Sequence, residues 1–457
     1  MSRAPERRSP VATVRRQARE HSGALFAFLA RGWASGAGLV LVLLATTRLT
    51  PAEQGYFFTF QTLLFFQFFL ELGFAVVLTQ FVSHEWAHLH LEGGGVEGDP
   101  MARARLAGMV QLARRWYARA SAGFLIVAAP AGALFFAERG EGGVEWLAPW
   151  LALCVAQALA ILYSPLPALL EGTGDVSRSQ RSLLTANIAA GVAAWAALIL
   201  GAGLWAAAIQ VAVRASFALV LLLPATRAIR APLPAGAPRV DDREWRPAFT
   251  HQQLRIAASW GAGLVMFHSF TPIAFALQGA VVAGQVGVMM QAFHGVNQLA
   301  SAWLTAAQPR MGHLGSLRRF EELRGLMRTT LVRCTATATM LAAGIFGAIV
   351  LLHWWRPEQA ERFGGPGMAA AFLAAAVLLQ VSNVWTAAIR FQKLEPFVAL
   401  AWIGAMLITG LCVLLGLMVG GIGFGLALLA GAILLSVGGK VIGDRELTRI
   451  AGQQRWA

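Results

Sequence analysis

Residues 256–309 read IAASWGAGLVMFHSFTPIAFALQGAVVAGQVGVMMQAFHGVNQLASAWLTAAQP, a run without a single Asp, Glu, Lys or Arg. A helix crosses the hydrocarbon of a bilayer in roughly 20 apolar residues, so this run holds two crossings. Gly279 and Gly284 mark the fold between them. Further uncharged runs extend over Gly32–Thr47, Trp146–Leu170, Ser182–Val213, Gly364–Ile389 and Pro396–Gly439. Glycines at 201, 203, 420, 421 and 423 mark further turns. Twelve spans follow, beginning near Gly23, Tyr56, Arg115, Trp146, Ser182, Leu204, Arg255, Gly284, Thr329, Gly367, Pro396 and Gly423. The fold class is an all-α membrane protein. Composition agrees: 57% of the 457 residues are hydrophobic and 13% are charged, against about 25% charged in soluble domains.

A net charge of +14 would suggest nucleic acid in a soluble chain. Here the position of each charge matters more than the sum. With the N-terminus inside, 32 of the 37 basic residues fall in inside segments. Arg48, Arg139, Arg356 and Arg362 fall outside, and Arg214 lies within a helix. The positive-inside rule then places both termini in the cytoplasm of a multi-pass protein of the bacterial inner membrane, with no nucleic-acid partner. Cys154, Cys334 and Cys412 lie within predicted helices at unpaired spacings and read as small apolar residues.

The two halves repeat. Gly36-Ala37-Gly38-Leu39-Val40 recurs as Gly261-Ala262-Gly263-Leu264-Val265, each five or six residues after an arginine, Arg31 or Arg255. Six helices per half keep both copies in one orientation, as pseudo-two-fold symmetry about the membrane normal requires. The organisation is a basic N-terminal segment (1–22), a first six-helix lobe (23–223), a cytoplasmic linker (224–254), a second six-helix lobe (255–440) and a cytoplasmic tail (441–457). His84 to Arg105 is hydrophilic and glycine-rich and reads as a flexible inside loop.

Polar side chains are costly against lipid, so those within spans face a cavity or another helix. On the eighth helix Gln291, His294, Gln298, Ser301, Thr305 and Gln308 recur every three or four residues, one face of a helix. Interhelical hydrogen bonding accounts for any one of them, and six in register fit the lining of a water-filled cavity. Shorter stripes mark the seventh helix (His268, Thr271, Gln278) and the tenth (Gln380, Asn383, Arg390). Arg214 falls near mid-membrane and reads either as a snorkelling side chain or as an anion contact. Arg31 and Arg255 stand at equivalent places where a cytoplasmic mouth would attract an anionic headgroup, and Arg48 ends the first helix outside, where arginine is disfavoured. Glu71, the one acid deep in the second helix, reads as a proton site or an ion-pair partner. His84-Glu85-Trp86-Ala87-His88 matches the H-E-x-x-H pattern of zinc proteases, in which two histidines one helical turn apart hold the metal. It sits where the second helix leaves the membrane, without a third ligand, and no metal is expected.

Thr47-Arg48-Leu49-Thr50-Pro51-Ala52-Glu53-Gln54-Gly55-Tyr56-Phe57, following a first helix, resembles the opening of polysaccharide flippases, which export lipid-linked O-antigen and capsule units. Gly279 to Gly287, a helix ending Gln308-Pro309-Arg310-Met311, and Arg390-Phe391-Gln392-Lys393-Leu394-Glu395-Pro396-Phe397 are similar to the corresponding parts of that group. The group belongs to the multidrug/oligosaccharidyl-lipid/polysaccharide exporter superfamily. Its resemblance implies two six-helix lobes, a cationic central cavity and alternating access. An undecaprenyl-pyrophosphate-linked oligosaccharide would move from the cytoplasmic to the periplasmic leaflet for surface polysaccharide synthesis. It further implies a transporter and not an enzyme, monomeric and without a bound cofactor. Such a protein would couple to a proton or sodium gradient, with Glu71 the candidate, and associate with polysaccharide assembly proteins. Substrate contacts would come from Arg31, Arg48, Arg214, Arg255, His268, Gln291, His294, Gln298, Asn383 and Arg390. The alternative within the superfamily is a drug exporter, for which acidic cavity residues would be expected.

Overall fold

The structure, a computed structural model, describes Phe26, Leu29, Gly32, Trp33 and residues 36–71, 73–140, 143–231, 242–392 and 394–452. Arg31 lies outside the described residues. The described chain is almost wholly helical, since a backbone crossing hydrocarbon must satisfy its own N–H and C=O groups.

The first crossing contains α1 (Gly36–Arg48). The second is broken into α2 (Pro51–Leu64), α3 (Gln67–Glu71) and α4 (Phe74–Trp86). Strands β1 (Leu89–Glu92) and β2 (Gly95–Gly98) follow, then α5 (Pro100–Arg139), α6 (Leu147–Tyr163), α7 (Pro165–Gly172), α8 (Val176–Ile199) and α9 (Trp205–Ala225). The second half holds α10 (Asp242–His268), α11 (Phe270–Ser316), α12 (Phe320–Trp355), α13 (Pro357–Ala360), α14 (Gly365–Arg390), α15 (Val398–Val419) and α16 (Gly421–Gly452).

Among the described residues nine stretches are long and apolar enough to cross a membrane, and the bent run Pro51–Trp86 makes a tenth. One of the nine, Trp245–Ser316, has 72 residues. Straight, it would reach roughly 108 Å at 1.5 Å per residue. Instead it folds back at Gly279, whose φ of 83° suits glycine. Phe267 then meets Phe293 with ring centroids 5.7 Å apart, and His268 meets His294 at 6.3 Å, pairs placed symmetrically about the turn. This stretch is therefore two antiparallel crossings. Among the described residues that makes eleven crossings, and α1, a shorter apolar helix, is the described part of the first predicted span.

Helices pack chiefly within their own half: α8 and α6 on α9 in the first, and α16 on α14 and α15, with α12 on α14, in the second. The halves meet along α2 and α11. Gly55 makes that contact possible, because a Cβ there would overlap the carbonyl of Ala280. Gly284 and Gly287 seat against Gly55 and Phe58 in the same seam, the small-residue packing that lets helix backbones approach closely.

The seam lies at the end of the bundle opposite the arginine-rich segments, and neighbouring turns knit around it. Thr50 and Glu53 form a capping box that starts α2. From the second half, Arg362 donates to the carbonyl of Leu49, while Gln54 returns a bond of 3.3 Å to the Arg362 carbonyl. Burial lowers the Arg362 pKa from its ordinary value and the nearby Glu53 charge opposes that shift. Arg362→Ala removes a charged hydrogen bond of about 1.5–3 kcal/mol. Amides of residues 49–55 are expected to exchange about 10- to 100-fold faster in that variant, and unchanged exchange would show that the latch holds nothing.

Two expectations need correction. Residues 84–105 are not a flexible loop: β1 and β2 form an antiparallel hairpin across Gly93-Gly94, both at positive φ as a tight hairpin turn requires. Leu89 and Val96 bury one face of it, and Asp99 caps α5 by accepting from the Ala102 amide at 2.8 Å. The segment 224–254 is also not linker throughout, because α10 begins at Asp242 and buries Trp245 and Phe249, one turn apart, the latter against Phe74 and Phe81 of α4.

Candidate substrate cavity

A cavity of about 400 Å³ lies between the halves, walled by Gly38, Leu39 and Val42 of α1, by α11, and by Leu341, Ile345 and Leu352 of α12. Its polar side chains are Gln291, His294 and Gln298, successive members of the eighth-helix stripe, and the rest of its lining is apolar. The helical repeat alone turns these three the same way. His268, the last residue of α10 before a break at Ser269, stands beside His294 and stacks on Phe65 at 3.6 Å, where α2 also breaks. Two interrupted helices, one from each half, thus meet at this histidine pair. Interrupted helices at membrane depth are tolerated where they are buried in protein or line a cavity.

Asn383 and Arg390 belong elsewhere. They line a second pocket of about 430 Å³, entirely within the second half, together with Ser301 and Gln308 from the far end of the same stripe. The stripe therefore serves two cavities. Gln380, from the tenth-helix series, is buried and donates to Asn297 at 2.8 Å, so it ties α14 to α11. Gln278 likewise donates to the Gly416 carbonyl at 2.9 Å. Asn297 was not separable in the sequence from the exposed polar residues around it.

The cationic lining implied by the resemblance is not what the described residues form. Among the described residues no Arg or Lys lines the interlobe cavity. Arg48 is exposed at the end of α1, Arg255 is exposed on α10, and Arg214 is half-buried on α9 with its Nε lacking a hydrogen-bond partner. An unpartnered donor on a membrane-spanning helix is costly. Arg214→Leu, which removes it, is thus expected to melt higher than the parent, and equal or lower melting would show that the side chain is accommodated without cost.

Glu71 ends α3 at the second break in its crossing. Its carboxylate accepts from Ser164 at 3.3 Å, at the junction of α6 and α7, and its carbonyl accepts from Gln253. Among the described residues no arginine pairs with it. Glu85, the acid of the H-E-x-x-H pattern, is buried and bound to Arg105 at 3.3 Å. His84 and His88 are exposed, and His88 lies beyond the end of α4, so the two histidines do not share the helical turn that zinc binding needs. Among the described residues no three His, Cys, Asp or Glu side chains group as a metal site.

No family model and no curated protein sequence matches the chain. Solved structures do. An inward-facing multidrug resistance MATE family transporter of the MOP superfamily is similar over 91% of this chain and 95% of its own, with a TM-score of 0.67 at 14% identity. The chain has the fold of MOP-superfamily transporters. The lipid II flippase MurJ, in an inward closed conformation, is similar over 94% of this chain and 89% of its own, with a TM-score of 0.62 at 10% identity. An outward-facing MATE family transporter is similar over 94% of this chain and 96% of its own, at a TM-score of 0.54 and 14% identity. The likeness is one of fold, and in this structure the two halves are in contact along α2 and α11, at the arginine-poor end.

Proposed function

We propose that this protein flips an undecaprenyl-pyrophosphate-linked oligosaccharide from the cytoplasmic to the periplasmic leaflet of a bacterial inner membrane, with its arginine-rich end in the cytoplasm. The observation that carries the reading is the chemistry of the interlobe cavity: two amides and an imidazole on an otherwise apolar wall, with no acid among the lining residues. Sugar hydroxyls find both donors and acceptors in Gln291, His294 and Gln298. The apolar flank of α1 and α12 suits a prenyl chain that stays in the bilayer. The pyrophosphate would meet Arg31 and Arg255 at the cytoplasmic mouth. An exporter of cationic drugs shares the fold, but it would gain from carboxylates where this cavity has none.

The test is a strain lacking the protein. Lipid-linked oligosaccharide should accumulate on the inner leaflet and surface polysaccharide should fall. Normal surface polysaccharide, joined to new sensitivity to organic cations, would establish the drug exporter instead.

A further inference from the structure

The second pocket is a separate place in the molecule, lined by α10, α11, α14, α15 and α16. At about 430 Å³ it falls within the range of small-molecule sites. Gln308, Ser382, Asn383 and Thr386 face it, and among the described residues none of these four side chains makes a hydrogen bond to the protein. Four unspent polar groups in a bundle of apolar helices are unfavourable unless something satisfies them. Arg390, at the rim, donates from Nε to both oxygens of Glu395 at 3.0 and 2.8 Å and from Nη2 at 2.7 Å. Its charge is therefore already matched, and an anion would have to displace a two-point contact. Across from these groups stand Met266, Phe267 and Phe397.

We infer that this pocket is a second binding site, for a neutral ring carrying several hydroxyl groups. Its unpaired amides and hydroxyls fit the polar edge of such a ring, and Phe267 and Phe397 fit its C–H face. An acyl chain satisfies none of the four polar groups, and a phosphate meets an arginine already paired. The stripe on α11 runs about 25 Å from Gln291 to Gln308, so the interlobe cavity and this pocket lie at two ends of one polar track. Taking the ring to be a sugar of the transported lipid rests on the function proposed above, whereas the site itself is tested without transport.

Full-length protein in nanodiscs is irradiated with an alkyl glucoside carrying a diazirine beside the sugar, or with the matching alkyl alcohol, and labelled peptides are mapped. The glucoside should label residues 301–310 and 382–401, be displaced by excess unmodified alkyl glucoside, and do so about tenfold less in Thr386→Val, which keeps shape and loses one hydroxyl. Asn383→Leu should behave alike, with gel filtration confirming that both variants fold. Equal labelling by the alcohol, or labelling unchanged in both variants, would mean that the pocket takes apolar chains or water alone and would overturn the inference. Flipping of a fluorescent lipid-linked oligosaccharide by the unmodified protein in liposomes is scored separately. Absent flipping with Thr386-dependent labelling sinks the transport reading and leaves the site standing; flipping without labelling sinks only the site.

Discussion

Gly55→Val is expected to eliminate the closed seam between α2 and α11 and, with it, transport. The seam joins the two halves backbone to backbone, and a Cβ on Gly55 would run into the carbonyl of Ala280. A flexible side chain could swing away, but a carbonyl inside a helix cannot move without the helix. Overpacking of ordinary side chains costs about 1–3 kcal/mol, and a backbone collision lies at the upper end or beyond. Alternating access needs conformers separated by only a few kcal/mol, so about 3 kcal/mol is enough to depopulate this one more than a hundredfold. Gly344→Val on α12 is the control, because a Cβ there meets nothing within 4 Å. Nitroxides at Thr47 and Gln359, exposed on opposite halves, read the result; the native Cys154, Cys334 and Cys412 are buried away from the label. Their separation should lengthen in Gly55→Val and stay fixed in Gly344→Val. An unchanged distance in Gly55→Val would mean that the seam does not hold this state.

Much of the fold was legible in the sequence because hydrocarbon imposes a single rule along the whole chain. The run 256–309 had to hold two crossings by length, and Gly279 and Gly284 marked the fold between them; of the two, the structure gives the positive φ to Gly279. Breaks inside crossings were not legible. Ser164-Pro165, His268-Ser269 and Phe65-Phe66 sit in apolar stretches whose hydropathy is the same whether the helix is continuous or interrupted. The 89–98 hairpin was hidden by its glycines, which loosen a loop as readily as they tighten a turn. At the candidate site, the period of three and four picked out the face of the eighth helix that lines the two cavities, because helical geometry turns those residues together. Which neighbour each of them meets was beyond its reach: Gln291 and Gln308 share a face of α11 and open into different cavities. Arginines were harder still, since their long side chains make sequence position a poor guide to where the charge rests.

Alanine at both Gln291 and His294 is expected to lower transport about a hundredfold with membrane abundance intact. Each side chain lines the interlobe cavity, and among the described residues neither hydrogen-bonds to the protein. Their donors and acceptors are therefore available to a substrate, and deleting them breaks no hydrogen bond that holds α11 in place. A neutral hydrogen bond contributes about 1–1.5 kcal/mol, so two lost contacts amount to about two orders of magnitude in affinity. His294 brings a second effect, because its ring faces His268, which in turn stacks on Phe65 of the first half. The single variants separate the two contributions. Gln291→Ala should weaken substrate binding alone, whereas His294→Ala should also alter the contact through which the second half touches the first, and so change the rate of lobe movement. Counterflow in liposomes, which needs no net driving force, isolates binding and lobe movement from energy coupling. Equal export by the double variant and the parent would mean that the substrate passes elsewhere, and the cavity between α1, α11 and α12 would then be a packing gap rather than a route.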